Sequence, residues 1–133
     1  MVVLDTSVII KWFVQEEDTD EALVWRDKHL EGKEIILVPS LLFYEVANVL
    51  RYNLNLPQEK IFEIIDLLFD VELQVEEVNR SLILQSIELA RNKNISVYDA
   101  VYIILAQKWN CDFITADYKL LNRVKGLKIV KLL

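Results

Sequence analysis

The sequence predicts an α/β domain over residues 1–133, with a central parallel sheet flanked by helices on both faces. Three observations carry this. Short apolar runs alternate with longer stretches of helical periodicity. Glycine and proline, two of each, almost never fall inside those segments. The opening run Val2-Val3-Leu4 shows no polar alternation, which suits a strand covered on both faces.

Each element can be justified in turn. Val2 to Leu4 is the first strand, and Asp5 stands where it ends. Ser7 to Val14 is apolar enough for a short buried helix. The acidic run Glu16-Glu17-Asp18-Thr19-Asp20-Glu21 opens a second helix through about Leu30, since carboxylates suit a helix's first turn. Gly32 ends it. Glu34 to Val38 is a second buried strand, broken by Pro39 and Ser40, and Ser40 is placed to cap the next helix. That helix runs from about Leu41 to Leu54, with Glu45 as the lone charge in Leu41 to Leu50. Pro57 starts a helix from Gln58 to about Phe69, with Ile61, Ile64, Ile65 and Leu68 as its stripe. Glu72 to Val75 is a short strand or extended link. Glu76 to Asn92 is a further amphipathic helix. Asn94 to Ala106 contains a helix that is apolar almost all round and therefore central. Cys111 to Thr115 leads into a strand, Ala116 to Leu120 opens a short helix, and Leu127 to Val130 is the final strand.

Composition bounds the chemistry. With 133 residues, 53% of them hydrophobic and 27% charged, the chain is globular and can bury a real core. No apolar run is long enough to span a bilayer and no signal peptide opens the chain, so a cytoplasmic protein with no membrane partner is expected. One cysteine, Cys111, excludes an intramolecular disulfide and a cysteine-based zinc cluster. The single histidine, His29, lies among charged helical residues and is expected to be exposed. Histidine-dependent nucleophilic chemistry is thereby set aside, leaving carboxylates, hydroxyls and a metal. The net charge of −6 opposes a general nucleic-acid coat, although every charged residue after Asp117 is basic. Trp12, Trp25 and Trp109 fall on apolar faces, as core or dimer contacts.

Four acids stand out by context. Asp5 ends the first strand, Glu45 projects from an apolar helix face, Asp99 opens the central helix, and Asp117 follows the strand ending at Thr115. In a parallel sheet these positions share the carboxyl edge, where ligands bind in open α/β folds. Each aspartate also has an ordinary reading as a turn or cap residue, and Ser96-x-x-Asp99 fits a capping box. A cap does not explain Glu45, which needs a cation or a hydrogen-bond donor. Several carboxylates in one pocket repel each other, and a divalent cation relieves that repulsion. With neither imidazole nor thiolate at hand, the hard ions Mg²⁺ or Mn²⁺ fit best. Such an ion suits phosphodiester hydrolysis. Thr6, Ser7 and Thr115 would then support the site, or else simply bond backbone at turns. Lys11, Arg51, Lys93 and the basic C-terminal segment are candidates to meet substrate phosphates.

With these residues in view, the chain resembles a PIN domain, and within that family the small ribonuclease toxins of VapBC toxin–antitoxin systems. The resemblance rests on Val3-Leu4-Asp5-Thr6-Ser7-Val8, on Glu45 within Tyr44 to Leu50, on Tyr98-Asp99-Ala100-Val101-Tyr102, and on Phe113-Ile114-Thr115-Ala116-Asp117. It implies that Asp5, Glu45, Asp99 and Asp117 form an acidic metal site, supported by Thr115 with Thr6 or Ser7 close by. Asp117 occupies the most variable of the family's acidic positions. The resemblance further implies Mg²⁺- or Mn²⁺-dependent cleavage of RNA, homodimerisation, and inhibition by a VapB-like antitoxin laid across the active-site groove. The alternatives are a housekeeping PIN nuclease in RNA processing and a catalytically silent RNA- or protein-binding module. A haloacid-dehalogenase-like phosphatase ranks low, because it expects a second aspartate where Ser7 stands.

Overall fold

The computed structural model describes residues 1–53 and 55–133. Among them the strands are β1 (Val2–Leu4), β2 (Ile36–Pro39), β3 (Gln74–Glu76), β4 (Asp112–Thr115) and β5 (Val130–Leu132). The helices are α1 (Thr6–Ile9), α2 (Thr19–Leu30), α3 (Leu41–Arg51), α4 (Gln58–Asp70), α5 (Arg80–Lys93), α6 (Val97–Lys108) and α7 (Tyr118–Arg123). The strands form one sheet in the order β3-β2-β1-β4-β5, and every pairing is parallel. Val2, Val3 and Leu4 are all buried. Successive strand side chains point to opposite faces, so both faces of β1 are covered, as its unbroken apolar run predicts.

The chain builds outward from β1 to β2 and β3, then crosses back to place β4 on the other side of β1. The order therefore reverses between β1 and β4, and the crevice at the carboxyl ends of these two strands is the switch point of the sheet. Helix α6, buried continuously from Ala100 to Ala106, packs across β1, β2 and β4. It is central, as its apolar composition predicts. Each Val, Leu or Ile buried there contributes on the order of 1.5–3 kcal/mol.

Several boundaries differ from the sequence expectations, each for a local reason. Helix α1 closes at Ile9 and tightens into a 3-10 turn over Ile10–Trp12, which carries Trp12 inward to donate from Nε1 to the Ala22 carbonyl (2.9 Å). Helix α2 starts at Thr19, later than the acidic run suggests. The Thr19 hydroxyl accepts from the Glu16 amide and donates to the Glu16 carbonyl, while Asp18 takes a left-handed conformation with φ of 61°. Gly32, with φ of 70°, ends α2 through bonds from its amide to His29 and from the Lys33 amide to the Lys28 carbonyl, the paired pattern of a Schellman close.

Pro39 does not break β2 but ends it, in register with Glu76. The Ser40 amide continues the ladder to the Glu76 carbonyl (3.0 Å). Ser40 itself has helical dihedrals and makes no side-chain cap bond, because that bond needs an extended backbone. The expected end of α3 at Leu54 lies outside the described residues; the helix closes at Arg51. Glu76 belongs to β3, not to a helix. Helix α5 starts at Arg80, where the Asn79 side chain caps it by accepting from the Leu82 amide (2.9 Å). The last strand begins at Val130, because Gly126 (φ 97°) and a turn joining the Val130 amide to Leu127 occupy the residues expected to be extended.

His29 is half-buried and structural. Its Nδ1 accepts from the Ile36 amide (3.1 Å) and its Nε2 meets the Glu72 carbonyl (3.3 Å), a pair of bonds served by the neutral ring with its proton on Nε2. It thus pins α2 to the start of β2 and to the turn before β3. His29→Ala should lower stability by about 1–3 kcal/mol, because a buried strand amide loses its acceptor. Urea unfolding checks this, and a loss near zero would show that water replaces the ring.

Candidate active site

Asp5 follows β1 directly, with extended backbone, and caps α1: its Oδ1 accepts from the Val8 amide (3.3 Å). The same oxygen takes the Ser7 hydroxyl at 2.5 Å, and Oδ2 takes the Thr115 hydroxyl at 2.5 Å. The hydroxyls are themselves held from the β4 side. Ser7 Oγ accepts from the Ala116 amide (2.8 Å) and Thr115 Oγ1 from the Asp117 amide (3.0 Å). Residues 110 apart in sequence are thereby joined at the point where the strand order reverses.

Glu45 reaches the same place from the middle of α3. Its Oε1 accepts from the Tyr102 hydroxyl (2.5 Å) and from the Thr6 hydroxyl (3.3 Å). The partner that the sequence required for this carboxylate is a pair of hydroxyls, with no cation paired to it among the described residues. Asp99 sits in the first turn of α6, where the Ser96 hydroxyl accepts from its amide (3.0 Å). Asp117 caps α7, its Oδ1 accepting from the Leu120 amide (3.0 Å). The capping readings of Asp5, Asp117 and the Ser96 turn all hold. They coexist with a second property, because Asp5, Glu45, Asp99 and Asp117 line one open pocket of about 320 Å³ together with Thr6, Ser7 and Tyr102. Thr115 is fully buried beneath it.

The electrostatics follow from this crowding. Burial pushes the Asp5 carboxyl up to about 6, outweighing the Ser7, Thr115 and Val8 hydrogen bonds that pull it down, and the charge of Asp99 adds to the rise. Burial also raises Glu45, against its bonds to Tyr102 and Thr6. Asp99 is raised by burial and by the charge of Asp117, and is eased by Ser96 and Arg123. The carboxylates thus feel each other, which is the condition a bound cation relieves. Among the described residues no three acids close on a point tightly enough to chelate an ion alone. An all-oxygen set of this kind suits Mg²⁺ or Mn²⁺, since Mg²⁺ takes one or two carboxylates directly and keeps several waters.

One further expectation is corrected. Lys11 is buried, and its ammonium is committed to the Glu17 carbonyl (2.7 Å) and the Glu16 carboxylate (3.2 Å), so it is removed from substrate contact. Arg51 lies over the Tyr52 ring (4.4 Å), and Lys131 pairs with Asp112 (2.5 Å). Trp12 is core, whereas Trp109 is exposed. Beside the apolar Ile10 and Val49, two polar pocket residues lie outside the predicted site, Tyr102 and Asn48. Each stands three residues after a recognised acid, Asp99 and Glu45, and that helical spacing was the signal available.

Because the folded Asp5 carboxyl lies near 6 against an ordinary 3.8, its proton stabilises the metal-free fold below about pH 4. That contribution fades as pH rises through about 6. That rise corresponds to about 3 kcal/mol. Asp5→Asn should therefore flatten the loss of stability between pH 4 and 8 by roughly this amount, as measured by urea unfolding in EDTA. Parallel pH profiles for the two proteins would contradict the assignment.

Comparison with known proteins places this geometry. The PIN domain family profile matches residues 2–127. No curated protein sequence matches. Among solved structures the chain resembles a toxin–antitoxin complex from Klebsiella pneumoniae, at 16% identity over 98% of this chain and 96% of that one, with a TM-score of 0.71. It also resembles VapC20 of Mycobacterium tuberculosis, a sarcin–ricin loop cleaving toxin, at 17% identity over 93% and 95%, with a TM-score of 0.67. A third likeness is to VapBC2 of Rickettsia felis bound to a promoter DNA fragment, at 16% identity over 100% and 99%, with a TM-score of 0.71. At these identities the likeness is one of fold.

Proposed function

Because the chain belongs to the PIN domain family, we propose that it is a metal-dependent endoribonuclease, hydrolysing RNA phosphodiester bonds as the toxin of a type II toxin–antitoxin pair. The observation that carries this reading is the meeting of Asp5, Glu45, Asp99 and Asp117 in one pocket at the switch point of the sheet. Capping accounts for Asp5 and Asp117 singly, but not for the arrival of Glu45 from the middle of α3 in the same pocket.

In this reading the four carboxylates hold Mg²⁺ or Mn²⁺. When bound, such an ion would stabilise negative charge on a phosphoryl oxygen and make a bound water more acidic. Asp5 is the best-ordered ligand, since three donors fix its two oxygens. Glu45 presents Oε2, both hydroxyls having converged on Oε1. Asp117 spends Oδ1 on its cap and keeps Oδ2 for the pocket. In the same reading the RNA strand would lie across the mouth of this open pocket, with Arg123, whose charge already reaches Asp99, as a counter-charge for a phosphate.

The antitoxin and homodimer also belong to this proposal. The Klebsiella and Rickettsia relatives of this fold are toxin–antitoxin assemblies, and a pocket of four acids favours an arginine or lysine from such a partner. No described helix is long and apolar enough to cross a membrane.

The test is incubation of purified protein, free of antitoxin, with labelled mixed-sequence RNA in Mg²⁺, Mn²⁺ or EDTA. Cleavage should require the metal, and Asp5→Asn should lower it by more than about a hundredfold, beyond the loss typical of residues that only orient a ligand. Failure to cleave, together with no Asp5-dependent Mn²⁺ binding by calorimetry, would overturn the nuclease in favour of a silent binding module.

A further inference from the structure

Glu45 poses a problem that its helix does not solve. It projects from the middle of α3 on a side chain with three rotatable bonds, and holding such a chain in one rotamer is entropically costly. An ammonium or guanidinium would hold it, but would also neutralise it and compete with a cation in the pocket. A hydroxyl donor holds a carboxylate while leaving its charge intact.

Two hydroxyls do so, and they differ in rank. Thr6 Oγ1 lies 3.3 Å from Glu45 Oε1, whereas the Tyr102 hydroxyl lies at 2.5 Å from the same atom. The hydroxyls also lie 3.4 Å from each other. Tyr102 is itself immobilised: it is 2% exposed, and its ring stacks on Phe113 of β4 with centroids 5.9 Å apart and planes 12° apart. The hydroxyl is therefore carried by a ring fixed to the sheet. It hands that fixity to a carboxylate arriving from another helix, as Thr115 does for Asp5.

We infer that Tyr102 is a positioning residue of the acidic pocket, fixing Glu45 through Oε1 so that Oε2 is presented to a bound cation. This rests on the metal-site reading above and names a residue which that reading does not use.

Tyr102→Phe is the direct test, because the ring and its stacking on Phe113 remain and only the hydroxyl is lost. Mn²⁺ binding is measured by calorimetry on the full chain for wild type, Tyr102→Phe, Glu45→Gln and the double variant, with thermal unfolding alongside. Tyr102→Phe should weaken Mn²⁺ by about tenfold, at the lower end of the range for groups that orient a metal ligand. It should raise the Mg²⁺ needed for half-maximal RNA cleavage in parallel, and leave kcat at saturating Mg²⁺ nearly unchanged. In the Glu45→Gln background the hydroxyl should make no further difference, the non-additivity expected of one coupled unit. Wild-type Mn²⁺ affinity in Tyr102→Phe would overturn the inference alone. So would an equal loss with and without Glu45, which marks general packing damage. Should Tyr102→Phe not fold, Thr6→Val removes the second donor from the same oxygen and should weaken Mn²⁺ in the same Glu45-dependent way. A wild-type protein that binds no Mn²⁺ overturns the metal-site reading itself, and this is seen before any variant is measured.

Discussion

The structure depends on one clasp, the Asp5 carboxylate held between the hydroxyls of Ser7 and Thr115. It closes the seam between β1 and β4, the two strands whose pairing turns the sheet from one growth direction to the other. A buried carboxylate without donors would be expelled or kept neutral. With three donors it remains in place, and burial still outweighs them enough to lift its proton affinity. A residual cost of burying Asp5 therefore remains. The fold tolerates it because the strands beneath, Val2 to Leu4 and Phe113 to Thr115, are buried almost completely.

The other acids repeat the economy of Asp5, since local structure and site share the same atoms. Asp117 uses one oxygen to cap α7, and Asp99 enters the pocket in the first turn of a helix that Ser96 caps. In a parallel sheet the helices that follow β1 and β4, and the one that precedes β4, all begin at one edge. Residues that start these helices are therefore already aimed at the crevice. Capping and convergence on a pocket are two consequences of one topology, and neither excludes the other.

This explains what could be read from the chain. The sheet was legible from Val2 to Leu4 and Phe113 to Thr115, because buried parallel strands are continuous apolar runs. The acids were legible because Glu45 contradicts its surroundings and three aspartates sit at element boundaries. The failures were tertiary. Lys11 looks like a surface cation, and only the Glu16–Glu17 turn folding back on it shows otherwise. Ser40 is a good capping residue by type, but its backbone is already helical and its side chain makes no cap bond. Tyr102 reads as part of an apolar helix, and its role depends on Phe113 behind it and Glu45 in front. His29 falls in a charged stretch, yet its ring completes the hydrogen bonding of β2 and the turn before β3.

The span of the clasp also bears on when the pocket can exist. Thr115 is synthesised 110 residues after Asp5. Until β4 emerges, Asp5 lacks one of its three donors, Tyr102 has no Phe113 to lean on, and Asp117 is still to be made. Contacts this distant in sequence also form late in folding. A growing chain therefore carries the pocket unassembled, and the pocket is completed only after the sheet has closed around it.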